Sequence, residues 1–502
     1  MIRTISILAA LASASLAAAE DFPLVGSILS PAAANYDAYG SDVAFASTTT
    51  LCVGVRGADA SGFNAGAVDV FNLTSEGWDF VQRPIAIGLS AGDQLGEAVS
   101  ANSAWIAAAA TRHDAMGTDS GAVWMFQKGA TTWTHSQRLL PTTMSAGARF
   151  GSSLALLQGT LAIGAPISSS GGCVSIFTLA GSTWNHAVTI ANPTPSAANR
   201  FGEAVALSDG WLAVGDPFDD AVVTDGGAVY LFERTGSNWN LAATLRPESA
   251  VAREYFGQSL SMSGSRLAVG VYGANTGAES SGRVEMFEVS DGSWQQTDEI
   301  VPLAPIGGGN FGWDIALSGD RLAVGAPGAG VAQLSGIVTY YTHTPKAGWT
   351  AIVDALLVNG QAQDLFGACV ALTEGQLAIG APGAASFSAP RGVVAAVDFT
   401  ADCSGDGVPD AVEIAQGADD CDLNAVPDAC QPDSNGDGIP DACQDCAADL
   451  DFNAQVNAAD LVILLSHWGP VQGRVPADLN EDGFVTASDL SFMMVSWGAC
   501  GL

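Results

Sequence analysis

The stretch FGEAVALSDGWLAVGDPFDDAVVTDGGAVYLFERTGSNWNLAATLRP, residues 201–247, decides the fold of this chain. It contains four short runs rich in alanine, valine, leucine and aromatic residues, separated by turn residues such as Asp209-Gly210 and Gly236-Ser237. Runs of this length with such turns predict four strands of an antiparallel meander. The second run, LAVG, is almost wholly apolar, which is typical of a strand covered on both faces. A four-stranded sheet cannot cover its own two faces, so other sheets must pack against it.

The same pattern occurs seven times, and these copies supply the other sheets. A pair ending in glycine opens each copy and recurs at spacings of 51–56 residues, which predicts an array of similar units. The pairs are Tyr39-Gly40, Leu95-Gly96, Phe150-Gly151, Phe201-Gly202, Phe256-Gly257, Phe311-Gly312 and Phe366-Gly367. The second strand recurs as LAIGAP or a close variant, and a tryptophan opens the fourth strand in six copies.

Seven four-stranded sheets that stack radially form a β-propeller, in which every sheet packs between two others. The seventh copy lacks the tryptophan strand, because the chain passes from GVVAAVDF directly into Thr400. The segment Phe22–Pro31, before the first copy, resembles a fourth strand. We therefore predict that this segment completes the seventh sheet and closes the ring, which removes exposed sheet edges.

The Phe-Gly pairs and the Gly-Ala-Pro triplets give this segment a family resemblance. Gly-Ala-Pro occurs at 164–166, 325–327 and 380–382, one strand after a Phe-Gly pair. From Tyr39 to Phe399 the chain resembles the FG-GAP repeats of integrin α-subunit propellers, and more closely the bacterial secreted FG-GAP proteins. Integrin repeats carry aspartate-rich calcium loops between the first and second strands, whereas this chain has short turns such as LSDGW and LSGDR there. We therefore expect no calcium in the propeller.

The charge and the N-terminal residues limit the classes of function. The chain has 17 Lys and Arg against 52 Asp and Glu, a formal charge of −35, which argues against nucleic acid or an anionic membrane surface as a partner. Residues 1–19 combine a basic start, an apolar run and the small residues Ala17-Ala18-Ala19, which predict a secretory signal peptide. No later apolar run is long enough for a membrane span. We expect a secreted or cell-surface protein.

The last hundred residues differ in composition from the propeller. Between residues 402 and 500 there are 19 acidic residues and one basic residue, and the run DCSGDGVPD at 402–410 has related copies at 420–428 and 433–441. Oxygen-bearing side chains on alternate residues, with glycine at a turn, suit Ca²⁺. Residues 401–445 resemble thrombospondin type 3 calcium repeats, and a solvated acidic linker is the alternative. The predicted calcium ligands are Asp402, Ser404, Asp406, Asp410, Asp420, Asp422, Asn424, Asp428, Asp433, Asn435, Asp437 and Asp441.

Two further loops follow, 29 residues apart, within residues 446–502. Their oxygen-bearing residues occupy positions 1, 3, 5, 9 and 12 of an EF-hand-type loop, and each loop runs into a short apolar segment that predicts a helix. This pair resembles a type I dockerin, which implies Ca²⁺ as cofactor and a cohesin-like protein as a candidate partner. The predicted ligands are Asp449, Asp451, Asn453, Asn457 and Asp460 in the first loop, and Asp478, Asn480, Asp482, Phe484 (through its carbonyl), Thr486 and Asp489 in the second.

Each loop departs from the family pattern at particular positions. Ala454 occupies the turn position of the first loop, where a positive φ is costly without glycine, so we expect weaker calcium binding there. Positions 10 and 11, through which family members bind cohesins, hold Ala458-Ala459 and Ala487-Ser488. The alanine pair differs from the hydroxyl residues of typical cellulosomal dockerins.

Nine cysteines in an exported protein imply disulfides. Cys446 and Cys500 flank the dockerin-like segment, and we predict that they join its ends. Four cysteines of the calcium repeats are expected to pair with neighbours, in a connectivity that the sequence leaves open: Cys403, Cys421, Cys430 and Cys443. Three cysteines on predicted blade strands are interpreted as small buried side chains: Cys52, Cys173 and Cys369.

The sequence contains no recognisable nucleophile motif, phosphate loop or zinc-ligand spacing, so we do not predict an enzyme. The loops from strand 2 to strand 3, and from strand 4 to the next blade, should emerge on one face. Loops on a rigid scaffold are where binding residues concentrate. The candidate binding residues on this rim are Arg112, Asp114, Asp216, Phe218, Asp219, Arg253, Tyr255 and Tyr272.

The predicted fold class is mainly β: a seven-bladed β-propeller at residues 20–400, a calcium-loop tail and a small α-helical dockerin-like pair. This organisation predicts a secreted, calcium-binding, non-enzymatic binding or adhesion protein, in which the rim recognises an extracellular protein or glycan. One alternative is an extracellular polysaccharide-active enzyme, since dockerins accompany glycosidases and propellers can host lyases. Another alternative is a structural surface-layer or matrix protein.

Overall fold

A computed structural model describes most of the propeller segment and parts of the tail. The chain divides into two compact units, residues 1–400 and 401–502. The described residues of the first unit form strands and loops, without a helix. The described residues are 25–28, 37–74, 77–142, 146–168, 170–330, 335–355, 363–386, 389–390, 392–399, 403, 410, 413, 418, 427–431, 455–470, 484–495 and 497–499.

The first unit contains seven four-stranded antiparallel sheets, or blades, and in six of them consecutive strands are neighbours. The strands are β1 (Val25–Ile28); β2 (Tyr39–Ser47), β3 (Thr50–Val55), β4 (Ala67–Thr74) and β5 (Gly77–Gln82) in blade 1; β6 (Ala98–Ala101), β7 (Trp105–Ala110), β8 (Ala122–Lys128) and β9 (Trp133–Leu139) in blade 2; β10 (Leu154–Leu157), β11 (Thr160–Ala165), β12 (Cys173–Ala180) and β13 (Thr183–Ala191) in blade 3; β14 (Ala204–Ser208), β15 (Trp211–Asp216), β16 (Ala228–Thr235) and β17 (Asn238–Leu245) in blade 4.

The remaining blades follow the same plan. They are β18 (Leu260–Ser263), β19 (Arg266–Val271), β20 (Arg283–Ser290) and β21 (Ser293–Ile300) in blade 5; β22 (Ile315–Ser318), β23 (Arg321–Ala326), β24 (Ile337–Thr344) and β25 (Gly348–Ala355) in blade 6; β26 (Cys369–Leu372), β27 (Gln376–Ala381) and β30 (Val393–Asp398) in blade 7. A small hairpin of β28 (Ala385–Ser386) and β29 (Ala389–Pro390) lies between β27 and β30. The mainly β, seven-bladed propeller predicted from the repeats is confirmed.

The second strand of each blade is buried along most of its length, as its apolar sequence predicts. Leu212, Ala213 and Val214 of β15 are fully buried, because sheets on both sides cover the two faces of blade 4. The fourth strands instead alternate between buried and exposed residues. In β9, Trp133 and Leu139 at the two ends are buried, and the residues between them alternate between exposed and half-buried. The hydrophobic core therefore lies between the blades.

The first strands of the seven blades form a ring around the central axis. Each contacts the first strands of both neighbouring blades, and β26 of blade 7 contacts β2 of blade 1. Side chains on or just before these strands bond to the next blade. Asp42 accepts from the N–H of Val99 at 2.6 Å, and Asp314 accepts from the N–H of Val370 at 2.8 Å. These bonds satisfy backbone groups that an inner sheet edge would otherwise leave unpaired.

The Phe-Gly and Gly-Ala-Pro motifs join adjacent blades. Phe201 is fully buried, and its N–H donates to the carbonyl oxygen of Gly171 in the preceding blade at 2.9 Å. Gly202 has a φ of 93°, a conformation that favours glycine. Gly164 of the preceding blade packs so closely that an added Cβ would clash with the carbonyl oxygen of Gly202. The motif therefore requires glycine at both positions to bring the two backbones together.

The ring closes through the N-terminal strand, as the sequence predicted. The described part of the predicted segment, Val25–Ile28, is the outer strand of blade 7 and pairs antiparallel with β30. Ile28 is only 5% exposed and packs in the cluster between blades 7 and 1. On the inner side, Tyr39 forms a parallel bridge with Gly392. Two segments that are far apart in sequence therefore complete one blade.

The described part of the second unit contains two short helices, α1 (Ala458–Ser466) and α2 (Ala487–Val495). β31 (Gln455–Val456) pairs with β34 (Gly498–Ala499), and β32 (Gly469–Pro470) pairs with β33 (Phe484–Val485). The strand before each helix therefore pairs with the strand after the other helix. The helices and strands recur at the same 29-residue interval as the two predicted loops.

Candidate recognition rim

The rim loops of the propeller are fixed by backbone hydrogen bonds between consecutive blades. The N–H of Arg253 donates to the carbonyl oxygen of Thr224 at 2.9 Å, and the N–H of Tyr255 donates to that of Asp225 at 3.1 Å. A similar bond joins the loops at Gly147, whose N–H donates to the carbonyl oxygen of Thr118 at 2.7 Å. The loop from strand 2 to strand 3 is thus paired with the connection to the next blade. A rim fixed in this way can present side chains in a constant geometry.

Four aromatic side chains of blades 4, 5 and 6 form a continuous row at this rim, which we call the aromatic row: Phe218, Tyr255, Tyr272 and Trp313. The Phe218 and Tyr255 centroids are 5.3 Å apart, Tyr255 and Tyr272 are stacked at 5.0 Å, and Tyr272 and Trp313 are 5.0 Å apart at 69°. All four are partly exposed, and Trp313 is 39% exposed. Ring geometry of this kind fixes the orientation of each side chain.

A cation lies at the blade 4 end of the aromatic row. The guanidinium carbon of Arg200 is 4.7 Å from the Phe218 ring centroid, a cation–π contact. Nη1 of Arg200 is 3.8 Å from Oε2 of Glu203. Burial raises the pKa of Glu203, and the positive charges of Arg200 and Arg149 partly oppose this shift. Oε2 of Glu203 is buried and accepts no hydrogen bond from the described residues.

The tyrosine in the middle of the row carries a neutral hydroxyl. The pKa of Tyr272 is raised to about 12, mainly by burial and also by the neighbouring Tyr255 and the carboxylates of Glu203 and Asp225, against a smaller opposing effect of Arg200. The row therefore offers ring surfaces and hydroxyl groups beside one cation and two carboxylates. Such a set can bind a ligand by stacking and by hydrogen bonds.

Two predicted rim residues, Asp216 and Asp219, are buried rather than presented to a ligand. Asp216 accepts from the backbone N–H of Arg200 at 2.7 Å, and burial raises its pKa to about 6. Asp219 accepts from the hydroxyl of Tyr230 at 2.8 Å and from Arg246 at 3.0 Å. Burial alone would raise the pKa of Asp219. The hydrogen bonds outweigh this effect, so the pKa of Asp219 is lower than that of an ordinary aspartate. Both carboxylates support the loops behind the rim.

Three further predicted rim residues, Arg112, Asp114 and Arg253, are exposed and lie in different parts of the rim. Arg112 and Asp114 lie in a loop of blade 2, whereas the aromatic row belongs to blades 4–6. Asp114 accepts from the N–H of Asp119 at 2.9 Å, and so stabilises its own loop. Arg253 is exposed and lies two residues before Tyr255. The structure thus brings Phe218, Tyr255 and Tyr272 together and leaves Arg112 and Asp114 in another part of the rim.

Trp313 and Glu203 were not among the predicted site residues. A sequence signal exists for Trp313, because it follows the pair Phe311-Gly312 at a position where the other copies hold small or polar residues. Those residues are Ser41, Glu97, Ser152, Glu203, Gln258 and Ala368.

In the tail, the residues at positions 9 and 12 of the EF-hand-type loops are described. The backbone N–H of Asn457 donates to Asp460 at 2.8 Å, and that of Thr486 donates to Asp489 at 2.8 Å. Both aspartates are fully buried. This arrangement corresponds to one half of a capping box, in which the third helical residue bonds back to the N-cap. Phe484 is 51% exposed and pairs in β33.

One disulfide is present in the described part of the tail, between Cys403 and Cys430. It defines one pairing that the sequence left open. Asp410 is buried and accepts from the N–H of Cys403 at 2.7 Å. Because the two sulfur atoms are bonded to each other, they do not serve as thiolate ligands for a metal.

The other predicted tail residues lie outside the described side chains, and Asp428 is described only as the start of a 3₁₀ turn at Asp428–Cys430. The predicted calcium ligands and disulfide residues in this group stay predictions. They are Asp402, Ser404, Asp406, Asp420, Asp422, Asn424, Asp433, Asn435, Asp437, Asp441, Asp449, Asp451, Asn453, Asp478, Asn480, Asp482, Cys421, Cys443, Cys446 and Cys500.

The three cysteines on blade strands are free thiols. Cys52 and Cys369 are buried and Cys173 is half-buried. Burial raises the pKa of Cys52 to about 12 and that of Cys173 to about 11. These thiols therefore remain protonated and pack as small side chains.

Comparison with known proteins supports the repeat assignment. The FG-GAP repeat family matches residues 184–232 and 239–287. Each match begins at the tryptophan of a fourth strand and ends in the third strand of the next blade, so the repeat unit crosses the boundary between blades. Two stretches of the seven-bladed propeller therefore match the FG-GAP repeat. No curated protein matches the chain.

Solved structures resemble the chain at low identity. They include a candidate 6-phosphogluconolactonase of Bacteroides uniformis, 10% identical with a TM-score of 0.46, over 63% of this chain and 85% of that one. A protein of Lactobacillus plantarum is 11% identical with a TM-score of 0.47, over 66% and 86%. A candidate 6-phosphogluconolactonase of Bacteroides fragilis is 13% identical with a TM-score of 0.44, over 66% and 86%. Similarity at this level indicates nothing about the function of this chain.

Helices in the described part of the chain are too short or too polar to cross a membrane.

Proposed function

We propose that this chain is a secreted, calcium-binding, non-enzymatic binding or adhesion protein. In this proposal the propeller rim recognises an extracellular ligand, and the dockerin-like tail attaches the protein to a partner. The observation that carries the proposal is the aromatic row, a contiguous and partly exposed set of rings on a rigid scaffold. Exposed aromatic residues on rigid loops are the usual anchors of recognition surfaces.

The groups beside the aromatic row suit binding without reaction. Tyr272 keeps its proton at neutral pH, since its pKa is raised to about 12, and Arg200 is already engaged with Phe218 and Glu203. Such groups donate and accept hydrogen bonds while their own covalent structure is unchanged.

Calcium is the proposed cofactor of the tail. The predicted donors are oxygen atoms, as Ca²⁺ requires, and the two position-12 acids, Asp460 and Asp489, are buried at the starts of α1 and α2. The remaining donors of each loop would be supplied by the residues just before. Bound cations would also offset repulsion among the 19 acidic residues of the tail.

The proposed docking surface consists of apolar side chains on and after both helices. Leu465 is 49% exposed and Trp468 is 50% exposed, and the residues 29 positions later, Met494 and Trp497, are 56% and 44% exposed. Exposed apolar groups of this size favour contact with another protein. Because both halves carry them, either half could contact a cohesin-like partner.

A binding screen tests the recognition part of the proposal. The full mature chain, residues 20–502, is immobilised and exposed to arrays of extracellular proteins and glycans, and bound material is analysed for cleavage products. We expect saturable binding that Trp313→Ala weakens, with no product. Product release would show an enzyme and overturn the proposal.

Calorimetric titration of the same full chain with Ca²⁺ tests the cofactor. We expect uptake of more than one ion per chain and weaker uptake in Asp489→Ala. Absence of uptake would overturn the calcium assignment.

A further inference from the structure

We propose that the aromatic row binds an uncharged glycan, whose sugar rings lie against Tyr255, Tyr272 and Trp313. This inference rests on the proposed function, since it assumes that the rim recognises an extracellular ligand. It names the chemical class of that ligand.

The repeat architecture does not account for the aromatic row. Its four members occupy four different positions of the repeat, and the other six blades hold no aromatic residue at any of them. At the position of Tyr272 four blades hold proline, and at the position of Phe218 four blades hold glycine. The propeller thus forms without aromatic residues at these positions. Four separate departures from the repeat converge on one surface.

Partial exposure also separates these rings from the structural aromatic residues. Phe150, Phe201, Phe256 and Phe366 of the Phe-Gly pairs are fully buried. Trp313, by contrast, is 39% exposed, and the other members of the aromatic row are also partly exposed. Keeping several large apolar rings in water is unfavourable unless a ligand covers them.

The polar groups at the row select among ligand classes. Arg200 supplies donors, Glu203 and Asp225 supply acceptors, and the tyrosine hydroxyls can do both. A sugar ring matches this mixture, because its C–H face is apolar while its hydroxyls both donate and accept.

A polyanionic ligand fits this surface less well. It would meet Glu203 and Asp225 on a chain of formal charge −35. The nearby cation, Arg200, already lies over Phe218. An uncharged, hydroxyl-rich ligand avoids the repulsion from the carboxylates.

The test is an affinity measurement on the full mature chain against an array of neutral glycans, with anionic glycans and extracellular proteins as separate arms. We expect binding to at least one neutral glycan, unchanged by EDTA, because the row lies in the propeller. Trp313→Ala and Tyr272→Pro should each weaken this binding at least tenfold. Both variants introduce residues that other blades carry at the same positions, so thermal unfolding should confirm an intact propeller.

Phe63→Ala is the matched control, since Phe63 is 73% exposed on a rim loop of blade 1, outside the row. It should leave the affinity within twofold of the parent. Binding to anionic glycans alone, or equal effects of Phe63→Ala and Trp313→Ala, would overturn the inference. If Trp313→Ala abolishes binding to a protein and no glycan binds, the glycan inference fails and the proposed function stands. If the chain binds no member of any arm, both fail.

Discussion

The propeller and the tail are stabilised by different means. Between blades, buried apolar side chains interlock, as Val229 of blade 4 does with Leu267 of blade 5. The described tail buries few apolar side chains, but it buries three carboxylates, Asp410, Asp460 and Asp489, and contains a disulfide. A large repeat can stabilise itself by apolar burial because each sheet covers the next. A small unit with little core needs other means of stabilisation, and the disulfide between Cys403 and Cys430 is one of them.

The largest expected effect comes from breaking the closure of the propeller. Deletion of residues 20–31 from the full chain removes the outer strand of blade 7, and we expect the propeller to lose its cooperative unfolding transition. Ile28→Ala, a milder change in the same strand, should cost about 2–5 kcal/mol, because Ile28 is buried. Differential scanning calorimetry measures both, with the exposed Val222→Ala as control. A deletion that frays one blade while the others keep their transition would contradict the ring model.

The second prediction concerns metal in the tail. Calcium at a hundred times its dissociation constant should stabilise the tail by about 2.7 kcal/mol, and Asp489→Ala should remove much of this gain. Calorimetric scans with calcium and with EDTA should move the tail transition and leave the propeller transition in place. Ser488→Ala, an exposed neighbour on α2, serves as control. If calcium shifts the tail transition equally in Asp489→Ala and Ser488→Ala, the second loop does not bind the ion.

The third prediction tests the close approach of the blades. A Cβ at Gly215 would clash with the carbonyl oxygen of Gly257 in the next blade, so Gly215→Ala should cost about 1–3 kcal/mol of propeller stability. Gly159→Ala is the control, because its new Cβ would lie 3.5 Å from the nearest atom, in Leu179, an ordinary contact. Chemical denaturation measures both changes. Equal stability of the two variants would mean that the joint between blades is not tightly packed.

The smallest expected effect is a pH dependence of the propeller. Burial raises the pKa of Asp42 from 3.8 to about 7 and that of Asp314 to about 6. Between pH 4 and 7 the folded chain therefore holds protons that the unfolded chain has released. The burial of these two groups costs least in acid, and the fold loses stability as the pH rises toward 7. These pKa shifts lower the free energy of unfolding of the propeller by roughly a few kcal/mol at most between pH 5 and pH 8. We therefore expect the propeller to melt a few degrees lower at pH 8 than at pH 5.

Asp42→Asn should flatten this pH dependence, since asparagine stays neutral at both values. Asp320→Asn is the control, because Asp320 is exposed and its pKa is lowered by a hydrogen bond from Arg266. The tail should respond in the opposite direction, since protonation of carboxylates weakens calcium binding. A propeller whose melting temperature rises with pH would contradict the assignment.

Much of the rim could be located from the sequence, but the accessibility of its residues could not. Loop position predicted Phe218, Tyr255 and Tyr272 as rim residues, and in the structure their rings contact one another. The same reasoning included Asp216 and Asp219, which are buried. Whether a loop carboxylate faces water or the interior depends on partners in other strands, which local sequence does not specify.

The sequence by itself determined the number of blades, their strand order and the closure by the N-terminal strand. It could do so because apolar runs, turns and glycines repeat at a constant interval, and each copy can be buried only by its neighbours.

Only the tertiary structure decided which residues form the candidate site. Phe218 and Trp313 are 95 residues apart and occupy different positions of the repeat, so no periodicity relates them. Their convergence follows from the radial arrangement of blades 4–6. The burial of Asp219 depends likewise on Tyr230 and Arg246, which lie on or beside other strands of the blade.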